Sequence, residues 1–343
     1  MRDLVTIIIP AYNAEKYVEG AVSSVLRQTW KNLQIIIVND GSTDKTAQIC
    51  ERLSKSDDRI TLINKNNGGV SSARNTALPH IKGEYVMFFD SDDELYPRCV
   101  EQSVCTMRKY GSDAVQVGMD IDKQSTDKWL SEGERETFSN EDILSEVLSL
   151  GKINTYLCGK MFKCELLSNL SFDENLTTGE DFVYLYQILK KCNRLTVTGD
   201  KGYHYIWNDD ASTKAEPRRS FINTIDVLER LKGSETNRKI AMLWGVYISS
   251  FSFFLLTRVV KADCFKEWYP RLRKTAISYY WKPHYGYTTP AKRKIHIVLL
   301  TFFPNIYYKV TSKNISPKAK KYGIIEPTNK VGDLGAVESI CRR

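Results

Sequence analysis

The sequence lacks several patterns that identify common functional classes. Its eight cysteines form no CxxC pair, which argues against a zinc or redox site, and reduced thiols in a cytosolic setting are the simplest interpretation. Neither GxGxxG nor GxxxxGK followed by Ser or Thr occurs, so a bound diphosphate would have no glycine-loop cradle. The first apolar segment, residues 4–9, ends at Pro10 and is too short for a signal peptide.

Acidic residues are missing from one long segment. Residues 268–325 contain twelve Lys or Arg and no Asp or Glu, in a chain of net charge +8. Such a one-sign stretch predicts an anionic partner, either membrane lipid or nucleic acid. Within it, residues 295–308 resemble an interfacial anchor, with a core helix as the alternative. Residues 240–257 are uncharged, but Gly and Ser dilute their hydrophobicity, which favours a buried or interfacial helix over a transmembrane one.

Apolar runs alternate with helical patterns through the first hundred residues. Four runs rich in β-branched or aromatic residues predict strands, at residues 4–9, 34–40, 60–65 and 84–89. Patterns with helical spacing lie between these runs. The alternation predicts an α/β fold with a mostly parallel central sheet and helices on both faces.

The later sequence is less regular. Residues 120–137 predict a charged, exposed excursion, and Ser139 is the predicted N-cap of a helix with Asp142 at its third position. LTVTG and GYHYIW predict two closing strands. After about residue 216 the pattern becomes helical, so we predict domains at residues 1–215 and 216–343.

An acidic cluster follows the fourth predicted strand directly. Asp90, Asp92 and Asp93 are close enough to repel one another, and a folded protein usually holds such a cluster around a cation or a ligand that carries one. Mg²⁺ or Mn²⁺ accepts one or two protein carboxylates and completes its shell with phosphate oxygens and water. The motif therefore predicts a divalent metal ion that neutralises a diphosphate.

Polar residues also follow other strands of the predicted sheet. Ligands of such sheets bind beyond the carboxyl ends of the strands. Tyr12 is placed to stack on a base, and Asp40 could accept hydrogen bonds from a base or from ribose, with a turn role as its alternative. Arg74 supplies a forked donor for a carboxylate or a phosphate. Together these residues predict a nucleotide-diphosphate pocket.

Four segments in this order resemble the N-terminal half of family 2 glycosyltransferases. They read TIIIPAYNAEKYVEGAVSSVLRQT, IIIVNDGSTDKT, NNGGVSSARNTAL and GEYVMFFDSDDELYP. The resemblance covers residues 4–97, with a weaker continuation to about residue 213. It implies a GT-A fold with a C-terminal helical extension, a nucleotide-sugar donor with UDP favoured, and a divalent metal, Mn²⁺ or Mg²⁺. It also implies inversion at the anomeric carbon in bacterial polysaccharide or capsule synthesis.

The resemblance implies roles for individual residues by position. The nucleotide sugar would be bound by Pro10, Tyr12, Asp40, Arg74, Asp90 and Ser91. Asp92 would bind the metal, with Asp93 as the fallback ligand. Asp181, in TTGEDFVYLYQIL, would be the base that deprotonates the acceptor hydroxyl, and a helix N-terminus would favour its ionised form. Capping of that helix by Glu180 and Asp181 is the alternative.

His204 lies near the point where related enzymes close over the diphosphate. It is a possible metal ligand or phosphate donor, and a structural role is the alternative. Many relatives carry an arginine in the next stretch, where this chain has IWNDDAST, a departure from the family pattern.

The implied partners are a nucleotide-diphosphate sugar and a glycan or lipid-linked oligosaccharide acceptor. An anionic membrane surface is a further possible partner, nucleic acid is not expected, and the location would be cytoplasmic, peripheral on the inner face of the membrane.

Two other classes remain as alternatives. A phosphatase of the haloacid dehalogenase type would use Asp90 as nucleophile, although Glu94 occupies a position where those enzymes carry Thr or Val. A non-catalytic membrane- or nucleic-acid-binding module would explain the basic segment but not the acidic strand ends.

Overall fold

The computed structural model describes residues 3–121, 124–125, 130–206, 220–259, 265–280 and 301. The chain divides into two compact units. Unit 1 comprises Met1–Leu144 with Thr155–Asn208, and unit 2 comprises Ser145–Asn154 with Asp209–Arg343. The domain limits expected from the sequence stay a prediction.

The first four strands of unit 1 form a parallel sheet. Their bounds are β1 (Val5–Ala11), β2 (Leu33–Asp40), β3 (Ile60–Lys65) and β4 (Tyr85–Phe88). They lie in the order β3–β2–β1–β4. Both β1 and β2 are rich in β-branched residues and buried at every position, as expected for central parallel strands covered on both faces. The four strands predicted from apolar runs are confirmed.

The later strands extend this sheet with mixed directions. Their bounds are β5 (Glu94–Leu95), β6 (Ala114–Ile121), β7 (Gln124–Ser125), β8 (Arg135–Ser139), β9 (Lys160–Lys163) and β10 (Arg194–Tyr205). The order continues β4–β9–β6–β10–β5, with β7 on β6 and β8 on β10. β9 runs antiparallel to both β4 and β6, whereas β6 and β10 are parallel.

Three sequence predictions in this part are wrong in detail. LTVTG and GYHYIW were expected as two strands, but the single strand β10 contains LTVTG and ends at Tyr205. The supposed excursion at 120–137 contains β7 and most of β8. Ser139 is not an N-cap, because it pairs with Arg194 as the last residue of β8, and the helix begins at Glu141.

The helices of the first half of the chain alternate with these strands. Their bounds are α1 (Val18–Leu26), α2 (Thr46–Ser56), α3 (Val70–Ala77), α4 (Cys99–Tyr110), α5 (Glu141–Ser149) and α6 (Glu180–Lys191). Gly69 and Gly179 directly precede α3 and α6 with φ of +86° and +75°, a conformation that glycine adopts without steric cost. Both of these helices begin with residues that reach the candidate site.

The remaining described helices are α7 (Ser220–Gly233), α8 (Arg238–Val259) and α9 (Phe265–Tyr280). The hydroxyl of Ser249 in α8 donates to the carbonyl of Ala276 in α9 over 2.9 Å. By length and composition α8 could cross a membrane, but 67% of its most apolar window is buried inside the structure, so it is weak evidence for a span. Apart from residue 301, the proposed anchor at 295–308 lies outside the described residues.

Candidate active site

The loops after β1 and β2 meet at the carboxyl edge of the sheet. Pro10 is buried in β1, and Tyr12 directly after the strand is 51% exposed. Asn13 joins the two loops, since its backbone N–H donates to the Ser42 hydroxyl and its side-chain oxygen accepts from the Thr43 N–H. The exposed ring of Tyr12 therefore stands on a braced loop.

Asp40, at the end of β2, is 2% exposed and well supplied with donors. Its Oδ1 accepts from Lys65 Nζ at 2.6 Å and from the Gly68 N–H at 3.0 Å, and its Oδ2 accepts from the Gly69 N–H at 2.7 Å. A carboxylate offers about four lone-pair sites, so roughly one remains for a ligand. The parallel register of β2 and β3 places Lys65 opposite Asp40, a contact that the sequence analysis missed.

Arg74 of α3 connects three acidic residues from two other segments. Its side chain is 4% exposed. Nη2 donates to Asp90 Oδ1 over 3.0 Å, Nη1 donates to Asp181 Oδ1, and the same Nη1 lies 3.8 Å from Glu180 Oε1. Arg74 and Asp181 are 107 positions apart in the chain, so the fold brings the predicted donor-binding and base residues together.

The aspartate loop after β4 holds its carboxyl groups in different surroundings. Burial raises the pKa of Asp90 to about 6, helped by Asp181 and Asp92 and opposed by Arg74. Ser91 and Asp92 are half-buried. The loop therefore concentrates negative charge that Arg74 offsets only in part.

Asp93 forms hydrogen bonds at the end of β10. Tyr203 donates its hydroxyl to Oδ2 over 2.6 Å, and the Ile206 N–H donates to Oδ1 over 2.9 Å. Burial, followed by the charge of Asp90, raises the pKa of Asp93 to about 8. Both of its oxygens are thus engaged by β10 and the residue after it.

The first turn of α6 presents two carboxyl groups to Arg74, a contact that the sequence analysis did not predict. Asp181 has 31% of its side chain exposed and Glu180 has 14%. Burial raises the pKa of Glu180 to about 8, with the charge of Asp181 adding to the shift and Arg74 opposing it. Asp181 thus keeps an exposed edge beside a buried acidic neighbour.

His204 lies apart from the Arg74 contacts, on β10 opposite Glu94 of β5. Its Nδ1 is 3.8 Å from Glu94 Oε2, and its ring centroid is 6.2 Å from that of Tyr96. Within the described residues, its buried Nε2 has no hydrogen-bond partner.

Two residues near the site, one buried and one half-buried, had no signal in the sequence. Lys160 of β9 is fully buried and donates its Nζ to the Tyr156 carbonyl over 2.6 Å. Burial raises the pKa of the Cys158 thiol well above its usual value, and the charges of Asp90, Asp93 and Asp181 add to the shift. Both residues belong to the segment that enters β9, beside the aspartate loop.

The carboxylates suit a hard divalent cation only when a ligand supplies further oxygens. Among the described residues, no group of three or more His, Cys, Asp or Glu is arranged to hold a metal ion. Mg²⁺ needs only one or two protein carboxylates when phosphate oxygens and water complete its shell. Asp92 is half-buried and lies two residues after Asp90, whose pKa is raised, so it could supply one such carboxylate.

Comparisons with known proteins agree with this geometry. The family model described as Glycosyl transferase family 2 matches residues 6–170. Glycosyltransferase GlyA of Streptococcus pneumoniae serotype 4 is 36% identical over 182 residues, which are 50% of this chain and 26% of GlyA. Minor teichoic acid biosynthesis protein GgaB of Bacillus subtilis is 31% identical over 224 residues, 63% of this chain and 24% of GgaB. The chain thus spans about a quarter of the length of each.

Among solved structures, residues 1–349 of S. aureus TarS in complex with UDP-GlcNAc match with a TM-score of 0.67. The two are 19% identical, and the match covers 94% of this chain and 92% of the TarS chain. The protein has the GT-A glycosyltransferase fold with a helical C-terminal region, as the sequence predicted. The match over residues 6–170 places this N-terminal part of the chain in glycosyltransferase family 2. This match favours a glycosyltransferase over the phosphatase and over the non-catalytic binding module.

Proposed function

We propose that this protein transfers a sugar from a nucleotide-diphosphate donor to a hydroxyl group of a glycan or lipid-linked acceptor in surface polysaccharide synthesis. The observation that carries the proposal is the contact of Arg74 with both Asp90 and Asp181. It joins the acidic loop, where a donor diphosphate would lie, to a carboxylate that could serve as a base. A UDP-sugar is the favoured donor, and the TarS structures with UDP and UDP-GlcNAc support that choice.

In this proposal the nucleoside lies over the ends of β1 and β2. Tyr12 stacks on the base from its braced loop, with Pro10 beneath it. Asp40 uses its remaining lone pair for the nucleoside, and Asp90 and Ser91 face the ribose. The partial exposure of Tyr12 and the geometry of Asp40 support these roles.

Asp92 would hold Mn²⁺ or Mg²⁺ on the diphosphate. A bound ion supplies neutralisation of the charge that develops on the leaving diphosphate. Asp93 is the weaker candidate because Tyr203 and Ile206 already engage both of its oxygens. His204 stays a possible further ligand or phosphate donor.

Asp181 would act as the general base. Its carboxylate accepts the proton of the acceptor hydroxyl while that oxygen forms a bond to the anomeric carbon and the bond to the diphosphate breaks. Attack opposite the leaving group inverts the anomeric centre. General bases contribute about 10² to 10⁴ in rate, and their position matters as much as their basicity.

The acceptor and the location follow from weaker observations. GgaB is named as a teichoic acid biosynthesis protein, and TarS as a poly(ribitol-phosphate) beta-N-acetylglucosaminyltransferase. These names support a cell-surface polymer as the acceptor. The basic segment at 268–325 supports a peripheral position on the inner face of the membrane, because anionic lipid attracts Lys and Arg.

A panel of nucleotide sugars tests the proposal. Each donor is added with Mn²⁺, with Mg²⁺ or with EDTA, and the unfolding midpoint is measured, because a ligand of the folded state raises it. We expect one UDP-sugar to raise the midpoint in a metal-dependent way and to be consumed when a glycan acceptor is added. If no nucleotide sugar shifts the midpoint or is consumed, the proposal is wrong.

A further inference from the structure

Arg74 was expected to bind the nucleotide, yet its two terminal nitrogens contact protein carboxylates, and only its buried Nε has no partner among the described residues. Both terminal nitrogens donate to carboxylates, and only 4% of the residue is exposed. A bound phosphate would have to displace Asp90 or Asp181 from the guanidinium. The geometry suits a residue that holds two protein segments together.

Arg74 also makes a cation–π contact with an aromatic pair. The Arg74 Cζ lies 5.5 Å from the ring centroid of Phe172. The Phe172 ring in turn stacks on Tyr184 of α6, with centroids 3.8 Å apart and planes at 15°. Arginine stacks on aromatic faces while its forked N–H groups remain available in the ring plane. The aromatic pair therefore packs against the guanidinium, and it restricts where the side chain can move.

The two carboxylates that Arg74 holds belong to opposite sides of the proposed reaction. Asp90 lies in the loop that would carry the donor, and Asp181 is the proposed base for the acceptor. The two would repel if the guanidinium were absent, because like charges this close disfavour each other. The charge of Asp181 accordingly helps to raise the pKa of Asp90.

We propose that Arg74 is a positioning residue, not a nucleotide ligand, and that its forked contact sets the Asp181 carboxylate against the donor. The inference rests on the proposed function. It predicts that a cation without the fork cannot replace Arg74. Lysine would keep the positive charge but offers one nitrogen, which cannot hold both carboxylates in the same geometry.

The test compares Arg74→Lys and Arg74→Met with the wild-type protein in sugar transfer from the donor that the panel identifies. At saturating donor, we expect kcat to fall about 100-fold in both variants, since misplacement of a catalytic group by about 1 Å costs that much. The KM for the donor should change less than about 3-fold in Arg74→Lys, a split that a purely structural role would not produce. Arg59→Met is the matched control, because Arg59 pairs with Asp57 outside the site, and it should keep both constants.

A second variant keeps the inference testable if Arg74 variants do not fold. Phe172→Leu removes the stacking ring but no charge, and it should lower kcat at saturating donor without a change in the donor KM. The inference is overturned if Arg74→Lys, or in its absence Phe172→Leu, keeps wild-type kcat, or if the loss appears only in the donor KM. Failure of the wild-type protein to transfer any sugar would instead refute the proposed function.

Discussion

Asp40 and the cluster around Arg74 are both buried acidic sites at the carboxyl edge of one sheet. They differ in how far positive groups and N–H donors offset the negative charge, which is balanced at Asp40 and in excess around Arg74. Asp40 is a single carboxylate with a lysine and two backbone N–H donors, all from residues 65–69. Around Arg74, three carboxyl groups share one guanidinium, and the pKa values of Asp90 and Glu180 are raised. We expect the balanced site to contribute to stability as well as to the proposed nucleoside contact, and the overcharged site to be more sensitive to pH and to a bound ligand.

Removal of the proposed base should produce the largest effect. We expect Asp181→Asn to lower kcat about 1,000-fold, because an amide cannot accept the acceptor proton. The protein should remain folded, since Arg74 keeps Asp90 as a partner. Sugar transfer is measured by mass spectrometry of the acceptor, with Asp173→Asn, a loop residue outside the Arg74 contacts, as the control. Turnover within threefold of the wild type would remove Asp181 from the mechanism.

Loss of the proposed metal ligand should have the next largest effect. We expect Asp92→Asn to lower transfer about 100-fold at a fixed low Mn²⁺ concentration, because metal charge stabilisation is worth several kcal/mol. Added Mn²⁺ should restore part of the rate. Asp58→Asn, a substitution in the turn before β3, serves as the control. Full activity without added metal in the Asp92 variant would contradict its role.

Substitution at the balanced site, Asp40, should lower the stability of the folded protein. Asp40→Asn should lower the free energy of unfolding by about 2 kcal/mol, because hydrogen bonds to a charged group contribute about 1.5–3 kcal/mol each and an amide oxygen retains some of them. Asp57→Asn breaks the more exposed pair with Arg59 and should cost less than about 1 kcal/mol. Urea unfolding of both variants gives the comparison, and equal losses would show that Asp40 is no better held than a surface residue.

The overcharged site should give a pH-dependent effect of opposite kind. The pKa of Glu180 rises from 4.5 to about 8 on folding, so the folded state binds a proton that the unfolded state has lost. The contribution of Glu180 to stability is therefore full below pH 4.5 and is lost as the pH rises to about 8. In urea unfolding measured at a series of pH values, Glu180→Gln should reduce this loss of unfolding free energy with rising pH. The surface substitution Glu174→Gln should leave it unchanged. An unchanged slope in the Glu180 variant would argue against the raised pKa.

The parallel half of the fold was predictable because its strands contain runs rich in β-branched or aromatic residues, unbroken in the buried strands β1 and β4 and interrupted by polar residues in β3. β10 was divided wrongly because Gly199 and Gly202 look like turn residues. The two glycines instead let neighbouring segments approach the β10 backbone closely. A Cβ at Gly199 would lie 2.1 Å from the Ser131 carbonyl oxygen, and one at Gly202 would lie 2.6 Å from the Val117 side chain. Such contacts join distant segments and leave no local signal.

The same limit applies to the candidate site. The motif residues Asp90 and Asp181 could be named from sequence, since each follows a recognisable element. The hydrogen bonds from Arg74 to these two aspartates, and from Tyr203 to Asp93, could not be predicted from the sequence. The partners are separated by up to 110 positions in the chain. Residue types predicted the chemistry, and tertiary packing determines which groups share a charge.

Hydrogen–deuterium exchange with the donor tests the central claim most directly, since it reports where ligand binding stabilises the backbone. A UDP-sugar with Mn²⁺ should slow exchange together in residues 66–74, in residues 89–93 and at the start of α6, while α2 stays unchanged. Slower exchange confined to one of these segments, or located elsewhere in the described chain, would contradict a single site that joins donor and base.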